Sequence, residues 1–275
     1  MADAQLIPPG VDTSVPSPAR LYDYYLGGSN NFEADREAAE RIRTRMPELS
    51  DAAWANRGFH QRAVRWLAAE HGIRQFIDIG SGLPTVGNTH DVVRLVNPRI
   101  RVLYVDSDPM VELHSQALLD DQTRVSVICA DLRDPDGILG HQTLGSLIDL
   151  SRPTALLMTA VLHFVSPASQ PYDLVSRYMD ALAPGSYLAL SHITDDLIPP
   201  SIVAAIHEVY ANATEQMYFR SKPDVERFFD GLDLVPPRPG DKPAVVHAGE
   251  WGAEDVVEAD SEGSRILWSG VARRP

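Results

Sequence analysis

The sequence predicts an α/β fold: a mostly parallel, seven-stranded sheet with helices on both faces, preceded by a helical extension. Three observations carry this expectation. From Gln75 onward, short apolar runs alternate with helix-like segments in a regular rhythm, the pattern of a doubly wound sheet. Runs such as Ala155-Leu-Leu-Met158 are apolar throughout, as strands covered on both faces are. The first run, Gln75-Phe-Ile-Asp-Ile79, ends in Gly80-Ser-Gly82, a turn that brings bare backbone close to a ligand.

Residues 1–16 are proline-rich and aperiodic, and read as a loose arm. Ser17-Pro18 supplies an N-cap and a first-turn proline for a helix that carries Leu21, Tyr22, Tyr25 and Leu26 and stops at Gly27-Gly28. A charged helix over 33–45 ends before Pro47. A third, over about 50–71, sets Trp54, Phe59, Val64, Trp66 and Leu67 near one face and closes at Gly72. Residues 17–72 therefore form a helical extension, and 73–275 the ligand-binding domain.

Within that domain, strands are expected at 75–79, 101–105, 124–128, 154–158 and 185–191. Helices fall near 89–96, 108–119, 137–146 and 168–182, each with a polar start or a nearby proline stop. The rhythm breaks after Ser191-His192. A helical insertion over 193–230 follows, with helices near 199–212 and 222–230. Two strands, Leu232–Pro236 and Ile266–Val271, are joined by a loop and suggest an antiparallel hairpin at the sheet edge. The acidic 249–263 stretch between them reads as exposed loop.

The 275 residues, 44% of them hydrophobic, suffice for one large domain. There is no run of about 18 apolar residues and no secretion-type start, so no membrane association is expected. The one cysteine, Cys129, closes the apolar run Val125-Ser-Val-Ile-Cys129 and is expected to be buried and inert. A cytoplasmic, reducing location fits. A net charge of −14 opposes attraction to phosphates, so no nucleic-acid partner is expected.

In an open α/β sheet, ligands sit beyond the carboxyl ends of the strands. Here those ends read Gly80-Ser-Gly82, Asp106-Ser107-Asp108, Asp131-Leu132 and Thr159-Ala160-Val-Leu-His163. Asp106 can accept two hydrogen bonds from a ribose diol, and Asp131 can accept from a purine amino group. Asp106 also has a plainer reading as a helix cap, although Asp108, before Pro109, suits that role better. A dinucleotide asks for a third glycine near its pyrophosphate, and Leu83-Pro-Thr85 stands there instead. S-adenosylmethionine carries no phosphate and has a sulfonium and an ammonium, which the acidic strand ends suit better. An NAD(P)-dependent oxidoreductase on the same sheet is the alternative.

Longer blocks carry a resemblance. The run Pro18-Ala-Arg-Leu-Tyr-Asp-Tyr-Tyr-Leu-Gly-Gly-Ser-Asn-Asn-Phe-Glu-Ala-Asp35, then Ala55-Asn-Arg57 and Arg62-Ala-Val-Arg65, then Phe76–Thr85 with Asn88 and His90, resemble an S-adenosyl methyltransferase family found mainly in actinobacteria. That family was formerly labelled a domain of unknown function. Val105–Pro109, Ala130–Pro135 and Leu162-His-Phe164 continue the likeness over nearly the whole chain. The resemblance implies a Rossmann-like class I methyltransferase with S-adenosylmethionine as cofactor. It implies contacts to methionine from Gly80, Ser81 and Gly82, to ribose from Asp106, and to adenine from Asp131 and Leu132.

The cofactor pocket is expected to draw further on Tyr22, Asn56, Asp78, Ser107, Thr159, Ala160 and His163. Methyl transfer to oxygen or nitrogen often uses a general base, and His163 lies where one would be; its plainer reading is a packed histidine beneath the cofactor. His192 is a weaker choice, and His90 either caps a helix or lines the pocket. Tyr22 and Tyr25 lie at i, i+3 and face one way, as a lid or as packing, whereas Tyr24 faces elsewhere. Asn56 and Arg57 either reach the site or serve a salt bridge. No metal site, zinc-type histidine pair, nucleophile elbow or Asn-Pro-Pro-Tyr signature occurs. The acceptor is expected to be a small molecule, a homodimer is left open, and a non-catalytic cofactor-binding protein is the remaining alternative.

Overall fold

The computed structural model describes residues 7–85, 87–118 and 123–275. Its strands are β1 (Gln75–Ile79), β2 (Arg101–Asp106), β3 (Val125–Cys129), β4 (Ala155–Thr159), β5 (Tyr187–Ile193), β6 (Asp233–Leu234), β7 (Val246–His247) and β8 (Leu267–Arg273). The helices are α1 (Pro18–Tyr25), α2 (Glu33–Arg43), α3 (Leu49–Ala69), α4 (Thr89–Val96), α5 (Pro109–Leu118), α6 (Pro135–Leu139), α7 (Gln142–Leu147), α8 (Pro171–Ala181), α9 (Pro200–Tyr210), α10 (Lys222–Glu226) and α11 (Val256–Ala259). Among the described residues, no helix is long and apolar enough to cross a membrane.

The sheet has eight strands in the order β3-β2-β1-β4-β5-β8-β6, with β7 also pairing β8. Strands β1 to β5 are mutually parallel, and β8 runs antiparallel to β5 along its whole length. The expected antiparallel pairing at the sheet edge is present, between β6 and β8, with β7 as an addition. β8 enters between β5 and the short β6 and β7, which pair with its two ends. The extra strand, β7, is two residues long and showed no alternation that sequence could reveal. The helix expected at 137–146 is two helices, because Gly140 ends α6 and His141 caps α7. The helix expected at 108–119 is α5, and residue 119 lies outside the described residues.

Alternate residues of β1 feed two cores. Phe76 joins Phe59, Val64 and Leu67 of α3 on one face, and Ile77 and Ile79 join Leu174, Val175 and Tyr178 of α8 on the other. Asp78 shares the face of Phe76 and so points toward α3. Trp54, expected on the buried face of α3, is instead 51% exposed, because five residues before Phe59 it lies well round the helix. Cys129 is a second correction. It is exposed at the end of β3 rather than buried, and partial desolvation together with Glu112, Asp106 and Asp108 pushes its thiol up, away from the reactive thiolate.

The tyrosine-rich block proves to be a hydrogen-bonded knot. The buried Asp35 carboxylate accepts from Ser17 N at 3.0 Å, Arg20 Nε at 2.8 Å and Phe32 N at 2.8 Å. Asp23, also buried, accepts from Asn30 N and Asn31 Nδ2, each at 2.8 Å. A Cβ at Gly28 would lie 2.1 Å from Asp23 Oδ1, so only glycine fits there. These contacts fix α1 against α2. Residues 1–6 lie outside the described residues, but the end of the arm is held, with Pro16 O accepting from Thr214 N at 2.9 Å.

Candidate active site

A cavity of about 550 Å³ opens beyond the carboxyl ends of β1 to β4, where the strand order reverses between β1 and β4. Every cofactor-site residue expected from the sequence lines it: Tyr22, Asn56, Asp78, Gly80, Ser81, Gly82, Asp106, Ser107, Asp131, Leu132, Thr159, Ala160 and His163.

The glycine turn is built for close approach. Gly80 has φ +68°, and a Cβ there would lie 2.2 Å from Val161; Gly82 has φ +66° with nothing within 4 Å of such a Cβ. Gly82 N donates to Asp106 Oδ2 at 2.9 Å, and Asp108 N donates to Oδ1 at 3.0 Å. Asp106 is therefore half-buried and anchored, and burial raises its carboxyl to about 6. The cap of α5 is Asp108, which accepts from Met110 N at 2.9 Å and from the Ser17 hydroxyl at 2.6 Å. At the end of β3, Asp131 accepts from Arg133 Nε at 2.9 Å, and Arg133 continues to both oxygens of Glu215, at 3.1 and 2.8 Å. Burial works to raise the Asp131 carboxyl, but the bonds from Arg133 outweigh it and hold it below the ordinary range.

Two polar chains line the α3 wall. In the first, Thr89 donates to Asp78 Oδ2 at 2.6 Å, His60 Nε2 meets Thr89 Oγ1 at 2.8 Å, and His60 Nδ1 meets Thr159 Oγ1 at 3.0 Å. Burial lowers His60 to about 3 and raises Asp78 to about 6. The ring is therefore neutral at pH 7. Because Thr89 donates to Asp78, Nε2 carries the proton and Nδ1 accepts from Thr159. In the second chain, Ala160 N donates to Ser191 Oγ at 2.9 Å and Ser191 donates to Asn56 Oδ1. Asn56 Nδ2 donates to Tyr22 OH at 2.9 Å, and Tyr22 donates to Ala53 O at 3.0 Å. This chain holds Ala160 at φ +54°, a left-handed conformation that costs an L-residue energy and marks the end of β4.

His163 sits in a one-turn 3-10 helix after β4, is 5% exposed, and has no hydrogen-bond partner on its buried Nδ1. Burial, aided by nearby Arg220, lowers it to about 3 and keeps the ring neutral. His192 is engaged elsewhere, with Nδ1 on Ile193 O and Nε2 on Arg220. His90 packs behind the site, 2.7 Å from Tyr104 OH, and neither ring lines the cavity. Tyr22 and Tyr25 both face the cavity, and Tyr24 turns away to Glu40.

Several lining residues had escaped the sequence reading. Arg57 is read there only as an alternative, Arg133 and Phe164 stand only inside the resembling blocks, and His60, Glu215, Leu49, Tyr210 and Met217 are given no part. A polar stripe at Asn56, Arg57 and His60 on the buried side of α3 is the signal that would have found Arg57 and His60.

Residues 5–275 match the family described as S-adenosyl methyltransferase. The chain belongs to that family. A candidate methyltransferase from Thermobifida fusca YX is 42% identical, with TM-score 0.88 over 97% of this chain and 98% of that one. A DUF574 family protein from Streptomyces avermitilis is 37% identical, with TM-score 0.89 over 96% of this chain and 99% of the other. An O-methyltransferase family protein from Burkholderia thailandensis shares only the fold, at 15% identity and TM-score 0.51 over 88% and 60% of the chains. None of the curated proteins compared with the chain matches it. As an S-adenosyl methyltransferase of class I fold, the protein uses S-adenosylmethionine, not a dinucleotide. The cavity fits that molecule. Bare glycine backbone, two buried or half-buried carboxylates and the unpartnered Ser81 hydroxyl face a ligand that offers a diol, an ammonium and a carboxylate.

Proposed function

We propose that the protein transfers the methyl group of S-adenosylmethionine to an oxygen or nitrogen of a small molecule. The observation that carries this reading is the continuity of the cavity. The acidic strand ends share it with an apolar wall of Tyr25, Leu49, Phe164, Tyr210, Met217 and Leu267, so two ligands can meet in one dry space.

In this reading Asp106 binds the ribose diol and Asp131 and Leu132 flank the adenine. Gly80, Ser81 and Gly82 meet the methionine end, and Asp78 accepts from its ammonium. The bound cofactor supplies an electrophilic methyl on a sulfonium. Helices α1 and α3 exclude water, and His163 accepts a hydrogen bond from the attacking hydroxyl or amine. A ring held neutral beside Arg220 orients that atom better than it stores its proton, so the proton stays with the methylated product and is lost when the product reaches solvent.

Transfer of labelled methyl from S-adenosylmethionine into molecules of a metabolite extract tests the activity. Labelled product that disappears in His163→Ala, while S-adenosylhomocysteine still binds, is the expected result. Binding without any labelled product would sink the catalytic reading in favour of a cofactor-binding protein. A dinucleotide reading would need tryptophan quenching by NADH and none by S-adenosylhomocysteine.

A further inference from the structure

From Tyr25 to His163 one wall of the cavity is a continuous run of rings. Tyr25 lies close enough to Tyr210 for that phenol to disfavour its ionisation. The Tyr210 and Phe164 rings stand 5.8 Å apart at 40°, and Phe164 meets the His163 ring at 4.4 Å and 64°. All of them line the cavity, as does Met217, which packs in the same core as Tyr25, Tyr210 and Phe164. A planar guest adds offset or edge contacts to such rings beyond the area it buries, and a thioether adapts to its outline.

The wall also carries polar groups that the fold leaves idle. Tyr25, Tyr210 and His163 are 6%, 4% and 5% exposed, and a buried tyrosine hydroxyl ordinarily finds a partner. Those of Tyr22 and Tyr24 do, on Ala53 O and on Glu40. Among the described residues the Tyr25 and Tyr210 hydroxyls and the His163 ring make no hydrogen bond.

These idle groups are neutral. Burial raises both phenols above their ordinary value and lowers His163 to about 3. The charges that act on the rings are Glu40 and Arg43 at Tyr25 and Arg220 at His163, and none of these lines the cavity. Arg220 is occupied by Leu162 O, Val165 O and His192. An ionic guest on this wall would leave water without gaining a counter-ion.

We propose that this wall is the acceptor subsite, and that it selects an uncharged aromatic molecule whose reacting O–H or N–H is held among Tyr25, Tyr210 and His163. The inference rests on the methyltransferase reading and names the class of acceptor for it. Phenols and azoles share this chemistry at neutral pH, whereas aliphatic amines and carboxylic acids ionise there.

Calorimetry on the whole protein saturated with S-adenosylhomocysteine tests it. The probes are naphthol and indole as neutral aromatics, naphthylmethylamine as a cation, naphthoate as an anion and decalol as a saturated ring alcohol. Naphthol or indole should bind, and the tighter of the two shows whether O–H or N–H is preferred. The charged probes should bind weaker by on the order of 10-fold or more, and decalol by about 3-fold or more. Tyr25→Phe and Tyr210→Phe each remove a hydroxyl with no partner in the protein, so melting temperature should hold and S-adenosylhomocysteine affinity should stay at the wild-type value. Binding of the neutral aromatic should fall by about 3- to 10-fold in at least one of them, the range for a neutral hydrogen bond. The proposal is overturned if neither neutral aromatic binds, if a charged or saturated probe binds as tightly, or if both variants bind like wild type. A clear fall in melting temperature would mark the hydroxyls as scaffold and overturn it too. Failure of S-adenosylhomocysteine to bind wild type would instead overturn the methyltransferase reading beneath it.

Discussion

The backbone N–H of Gly82 donates to Asp106 Oδ2 at 2.9 Å, so one carboxylate ties the glycine turn after β1 to the end of β2. Asp106 thereby shapes the turn even without a ligand. Its raised carboxyl, like that of Asp78, makes the site sensitive to mild acid.

Affinity for S-adenosylhomocysteine should fall as pH drops through about 6, because a protonated Asp106 can no longer accept from both ribose hydroxyls. The stability of the ligand-free protein should move oppositely. Carboxyls raised in the fold support it fully below their ordinary range, and that support is lost as pH rises through about 6. Asp106→Asn should flatten part of both trends. Titrations of binding and of melting temperature across this interval check the two signs.

Gly80→Ala and Gly82→Ala should differ in kind. The first drives a methyl into Val161 as well as straining the backbone, and should abolish cofactor binding. The second meets open space and bears only left-handed strain, about 1–2 kcal/mol. Urea denaturation and calorimetry on the pair distinguish them.

Asp35→Ala should cost about 3–5 kcal/mol, since it leaves Arg20 as an unpaired buried charge and frees two backbone donors. Denaturant midpoints measure this. Cofactor affinity should weaken too, because Ser17 bridges Asp35 to Asp108 beside the glycine turn.

Arg133 spans the cavity mouth from Asp131 to Glu215. The pair is partly exposed, so Glu215→Gln should change stability by less than about 1 kcal/mol. Its effect should appear in kinetics, as faster release of S-adenosylhomocysteine in stopped-flow fluorescence. Added salt should reproduce that acceleration in wild type and do little to the variant.

Sequence legibility followed how local each feature is. The helix over 89–96 and the strand over 75–79 were readable to the residue, because caps and apolar runs are local signals. The place of β8 was not, since its partner β5 lies some seventy residues earlier and only packing decides that pairing. Cavity-lining positions at strand ends were readable because the sheet itself brings consecutive strand ends together. Arg57 and His60 were harder. They belong to a helix that precedes the sheet, and nothing local says that α3 lies across β4, β5 and β8. Cys129 misled because an apolar run usually predicts a buried end, whereas the carboxyl end of β3 emerges at the rim.

Arg220 holds the loop around His163 through main-chain oxygens, donating to Leu162 O at 3.0 Å and Val165 O at 2.8 Å, while Tyr218 N donates to His163 O at 2.7 Å. Carbonyl groups are the same whatever side chain a residue bears. The support is therefore blind to the residue at position 163, and that position can be exchanged by evolution or by design without dismantling the loop that presents it. In the proposed function, where His163 meets the acceptor, the holding of that position is separate from the chemistry displayed there, and position 163 becomes a natural point for retuning the reaction.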